Sequence, residues 1–113
     1  MLSIRVSPGE EVLETVTRRL AEAGVRDGAI VSVIGGVDHC AISYMPKSDA
    51  RRDVVVEYAE PLEVTGTGAV TDGTPHIHLV AGREHNEAVA GHLHWARVGT
   101  WFVDVFVLPA STA

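Results

Sequence analysis

Apolar and polar residues alternate along much of this chain, which is the pattern of a strand with one buried face. Leu2-Ser3-Ile4-Arg5-Val6 shows it first. Ser7-Pro8-Gly9-Glu10 then reads as an S-x-x-E capping box with proline at the first helical position, so a helix is predicted over roughly residues 10–23. Val12, Leu13, Val16, Leu20 and Ala23 recur at three- and four-residue steps and make one apolar stripe. Gly24 suits the stop, where φ is often positive. No other stretch carries a strong helical signal.

Residues 29–34 are nearly all apolar, as for a strand covered on both faces, and Gly35-Gly36 breaks or bends it. Residues 41–44, 53–58, 62–70, 76–81 and 91–98 read as further strands, punctuated by 46–49, Glu60-Pro61 and Thr71-Asp72-Gly73. The polar stretch 82–90 holds a loop or one helical turn. The last strand, 101–108, puts Trp101, Val103, Val105 and Val107 on one face. Its other face, with Phe102, Asp104 and Phe106, is too apolar for open solvent and predicts a subunit contact. The order β-α-β followed by a run of strands predicts an α+β fold: a mostly antiparallel sheet of about six to seven strands with one amphipathic helix packed on a face. All of it falls in a single domain over residues 1–113.

Composition narrows the function. Of 113 residues, 46% are hydrophobic, enough for a real core. The net charge of -6 gives no general attraction to nucleic acid or to an anionic membrane. The only paired basic residues are Arg18-Arg19 and Arg51-Arg52. Cys40 is the only cysteine, which excludes an internal disulfide and Cys-rich zinc motifs. A buried, inert thiol accounts for it better than a nucleophile beside His39. No leader-like segment opens the sequence and no apolar run reaches membrane-spanning length, so the expected location is cytoplasmic.

The candidate chemistry lies in two H-x-H pairs, His76-Ile77-His78 and His92-Leu93-His94. Alternate residues of a strand share a face, so neighbouring strands would gather these imidazoles. Imidazole suits zinc and other late transition metals. His76, His78 and His92 would leave a zinc ion an open position; His94 either closes it or stands just outside. A zinc-bound water would act as nucleophile near neutral pH, with Glu84, Glu87, Asp104 or Glu63 as general base. His85-Asn86-Glu87 matches half of a zinc deaminase signature, but the required P-C-x-x-C is absent. Gly66-Thr67-Gly68 lacks the rest of a dinucleotide fingerprint and marks a bulge or a close strand approach instead. Trp95 and Trp101 are read as packing residues. No nucleophile–base–orienter set is visible, so no reaction is assigned.

These motifs resemble the plants-and-prokaryotes-conserved (PPC) domain family over nearly the whole chain. The matching residues are Pro8-Gly9-Glu10, the apolar strand and glycine turn at 31–36, Glu60-Pro61-Leu62-Glu63-Val64, His76-Ile77-His78 and Gly91-His92-Leu93. The resemblance implies a mostly antiparallel sheet with one helix, a stand-alone homotrimer as in prokaryotic members, and metal ligation by His76, His78 and His92. His94 stands where the family more often has an apolar residue, so the ligand count is left at three or four. Plant members bind DNA through AT-hooks with an R-G-R-P core, and this sequence has none. The leading expectation is a homotrimer whose zinc, or other divalent transition metal, sits near a subunit interface and holds a small ligand. The alternatives are a DNA-associated regulatory module and a purely structural trimerisation domain.

Overall fold

A computed structural model describes residues 1–111. The chain forms β1 (Leu2–Val6), α1 (Val12–Ala23), β2 (Gly28–Val37), β3 (His39–Tyr44), β4 (Val54–Tyr58), β5 (Leu62–Thr71), β6 (Thr74–Gly82), a 3-10 turn (Glu84–Asn86), β7 (Ala88–Arg97) and β8 (Val103–Pro109). The strands make one antiparallel sheet in the order β1-β8-β2-β5-β6-β7-β3-β4. One helix on an antiparallel sheet is the expected α+β class. The strand count is eight, slightly above the expected six to seven, with the short β3 and β4 forming a hairpin at one end of the sheet.

The helix begins two residues later than its sequence signal. The Ser7 N–H donates to the Glu10 carboxylate and the Glu10 N–H to the Ser7 carbonyl, so Ser7–Glu10 closes as a turn ahead of the helix. Glu11 is the true cap. Its carboxylate accepts the N–H groups of Leu13 and Glu14, two donors that no helical carbonyl can reach. It also accepts the N–H of Ala96 on β7, which ties the helix start to the sheet. Gly24, at φ 70, ends the helix, and the Val25 N–H returns to the Leu20 carbonyl.

The apolar stripe of α1 packs on one face of the sheet, against β1, β6 and β7. Val16, Leu20, Ile30, Ile77, Leu93 and Val105 are among the fully buried side chains of that core. Each is worth about 1.5–3 kcal/mol relative to exposure. Among the described residues the second face has no such cover. Val31 and Ile34 on β2 are 45% and 52% exposed, so β2 is not buried on both sides as its composition predicts. β2 also runs through Gly35-Gly36 instead of breaking there; Gly35, at φ 150, lets the Phe102 carbonyl approach where a Cβ would stand.

Trp101 is outside β8 and 66% exposed, so it does not join Val103, Val105 and Val107 on the core face. The cause is a turn: the Asp38 carboxylate accepts the Gly99 and Thr100 N–H groups and the Thr100 hydroxyl, delaying the strand. On the outer face of β8, Arg5 stacks over Phe102 and pairs with Asp104, covering part of the apolar surface. No described helix is long and apolar enough to cross a membrane.

Candidate metal centre

β6 follows its alternation strictly. Pro75, Ile77, Leu79 and Ala81 are buried; His76, His78 and Val80 point out on the open face. The strand sits unusually close to β5. A Cβ at Gly66 or Gly68 would run into the carbonyl oxygens of His78 or His76, so these glycines mark a close strand approach. Gly91 plays the same part on β7 against the Ser43 carbonyl of β3.

Register then assembles the site. His78 stands directly opposite His92 in the β6–β7 ladder. One ring nitrogen from each of His76, His78 and His92 lies within 4.8 Å of the others. The Nε2 atoms of His76 and His78 are 3.0 Å apart. Two nitrogens on one tetrahedral zinc, at about 2.0–2.1 Å each, would be about 3.3 Å apart, so a small opening of the pair suffices. The ring of His92 is 4.4 Å from that of His76. Its Nδ1 is buried without a hydrogen-bond partner, a condition that costs about 1–3 kcal/mol and that a bound ion or ligand would relieve. Burial, then the nearby His76 and His94 rings, hold the His92 imidazole below its usual proton affinity, while Asp53 opposes them. The neutral imidazole this favours is the form that binds metal. The residues present therefore fit a transition metal, with His76, His78 and His92 to hold it. When bound, zinc supplies a Lewis acid and lowers the pKa of a coordinated water to about 7.

His94 takes a different position. Its Nε2 is 2.9 Å from the Ser43 hydroxyl, and its ring centroid is 4.8 Å from that of His92. β7 carries an extra residue here: Trp95 faces Ala41 and Leu93 faces Ile42, so His94 is passed over by β3. The structure brings three of the four histidines into one set and places the fourth beside it, on Ser43.

The four acids named as general bases lie elsewhere. Glu63, Glu84 and Glu87 line a separate groove with Arg83 and His85, and Asp104 is paired with Arg5. The carboxylate that does share the histidine basin is Asp53. Sequence reasoning missed it because only register finds it. Tyr44 pairs with Val54, so Asp53 comes across from Met45, and Ser43 pairs with His92. The basin above the three rings has a volume of about 720 Å³, with Tyr44, Met45, Val80, Thr65 and Thr67 on its walls. Cys40 is buried, and burial first, then the Glu60 charge, pushes its thiol up to about 11; it is not a thiolate at neutral pH. Trp95 packs edge-on against His39, at 4.7 Å between ring centroids.

An eight-stranded antiparallel sheet, one helix on its closed face and a histidine cluster on its open face define a compact α+β module with a candidate metal centre. Residues 1–110 match the profile of the Plants and Prokaryotes Conserved (PCC) domain, and the chain belongs to this family. A metal-containing protein from Archaeoglobus fulgidus has 30% identity and a TM-score of 0.81, over 99% of this chain and 81% of that one. A plant- and prokaryote-conserved protein from Pyrococcus horikoshii has 23% identity and a TM-score of 0.81, over 98% and 79% of the two chains. A candidate DNA-binding protein from Ralstonia eutropha has 17% identity and a TM-score of 0.83, over 97% and 78%. The last two likenesses carry the fold alone. No curated protein is detectably similar to the chain.

Proposed function

We propose that this protein binds a divalent transition metal, zinc in the first instance, through His76, His78 and His92, and holds a small ligand in the basin above it. The observation that carries this reading is the convergence of three imidazoles, one ring nitrogen of each within 4.8 Å of the others, one of them His92 with its buried, partnerless Nδ1. Packing gives no reason to aim three rings at one point on an exposed face. The metal-containing relative from Archaeoglobus fulgidus supports the reading. Three protein ligands leave a coordination position free for water or a ligand atom, as in reactive zinc sites.

The assembly proposed is a homotrimer with the site near a subunit interface. Its support is the family resemblance together with the uncovered apolar residues of the open face, among them Ile34, Val80, Phe102 and Leu108. The Ralstonia likeness gives a DNA-associated role a foothold, and the net charge of -6 weighs against it.

Elemental mass spectrometry on untagged protein tests the metal. The expected result is close to one metal ion per chain, lost in His92→Ala with the fold retained. Metal absent from the wild type under full loading, with His92→Ala indistinguishable from it, would refute the proposal. Sedimentation of the same samples reads the oligomer.

A further inference from the structure

The basic residues are not distributed like the acidic ones. Arg5, Arg18, Arg19, Arg26 and Arg83 all stand in ion pairs with carboxylates. Among the described residues, Lys47, Arg51, Arg52 and Arg97 enter no ion pair, and the first three of these four fall on the β3–β4 connection. All are exposed. That connection is anchored at the histidine basin at both ends: Met45 precedes it, Asp53 follows it, and both line the basin. It is also an ordered double turn. The Asp49 N–H donates to the Pro46 carbonyl, the Arg52 N–H to the Asp49 carbonyl, and the Arg51 N–H to the Asp49 carboxylate.

Segment 46–53 carries these three cations and two carboxylates, Asp49 and Asp53, a net charge of +1 beside the basin in a chain of net charge -6, with Asp53 itself lining the basin. Such a local field selects and steers anions. The floor of the same cavity, once metal is bound, attracts a second anionic oxygen. Between floor and rim the wall is apolar at Tyr44, Met45 and Val80. We propose that segment 46–52 is an anion-recognition loop and that the basin takes a small dianion. One end of it sits at the three histidines, the other at Lys47, Arg51 and Arg52, and a short apolar spacer lies on the wall. The shared chemistry is two anionic groups on one short chain, whether the outer group is a carboxylate or a phosphate. This rests on the metal-site reading for the floor of the cavity and adds the ligand class. A duplex nucleic acid is the lesser fit, because three phosphate contacts give weak, strongly salt-dependent binding.

Calorimetric titration of the metal-loaded protein tests it. The probes are succinate, glutarate and adipate, each against the monoacid of equal carbon number: butyrate, pentanoate and hexanoate. Phosphonoacetate beside malonate separates a phosphate-type outer group from a carboxylate. The best diacid is expected to bind at least about tenfold tighter than its monoacid, the scale of one charge-assisted contact. In the Arg51→Gln/Arg52→Gln variant that advantage should fall below about threefold. These exposed changes leave the fold intact, which the melting temperature checks. A wild type without diacid preference, or a preference that survives in the variant, overturns the proposal. So does salt-sensitive duplex binding that the variant loses while diacids show no preference. Metal content is read on the same samples. Metal retained without diacid preference sinks this inference alone, and diacid preference without metal sinks the reading of the histidines alone.

Discussion

The two H-x-H pairs are written alike in the sequence and built differently in the structure. On β6, a regular ladder against β5 keeps His76 and His78 in step, and their Nε2 atoms meet at 3.0 Å. On β7, the ladder to β6 stops at His92 and the pairing with β3 skips a residue. His92 joins the β6 pair, while His94 turns to Ser43. An inserted residue re-aims a side chain at small energetic cost, which is why such irregularities gather at sites. The contrast shows that a repeated motif does not imply a repeated role. The strand opposite decides what each histidine faces.

Substitutions can break or sharpen this contrast. The largest effect is expected from His76→Ala or His78→Ala, each of which should lower metal affinity by more than the roughly 10–100-fold typical of supporting groups. Competition with a chelating dye would measure it. Next comes Gly68→Val, which sets a side chain against the His76 carbonyl. It should cost about 1–3 kcal/mol in urea unfolding and weaken metal binding by shifting β6. Ser43→Ala and His94→Ala should each change metal affinity by about tenfold, the low end for supporting groups, because the two bond to each other beside the three-histidine set. If His94→Ala emptied the site as fully as His78→Ala, the two pairs would be equivalent and the contrast would collapse.

The smallest effect is on pH dependence. His92 is held below its ordinary proton affinity, mainly by burial. As pH falls through about 6.5, the unfolded chain takes up a proton that the folded state resists, so metal-free stability should fall. Above that pH both states are neutral and this contribution is level. Urea midpoints at about pH 7.5 and pH 5.5 should therefore drop more for wild type than for His92→Ala. Equal drops would show that His92 is as free to protonate as in the unfolded chain.

Much of the fold was legible because it follows from periodicity. The α1 stripe, the alternation of β6 and the glycine stop at Gly24 all stand where their patterns put them. Boundaries set by side-chain hydrogen bonds were not legible. Glu11 takes the cap from Ser7 because its carboxylate also reaches Ala96, far away in sequence. Trp101 leaves the strand because Asp38 closes a turn at Gly99 and Thr100. In the candidate site, three convergent histidines follow from two H-x-H strands lying side by side. The departure of His94 and the arrival of Asp53 depend on register, which no local pattern encodes.

The strand order β1-β8-β2 has a consequence for how the chain comes into being. The first strand has no neighbour in the sheet until residues 103–109 exist, and β2 keeps one edge open until the same moment. Pairing over nearly the whole sequence is costly in loop closure and slow, and unpaired edges on the way invite association with other chains. During synthesis the nascent protein therefore carries two unsatisfied strand edges that only its final strand can seal. Removing β8 should leave a chain that aggregates instead of one that is merely less stable.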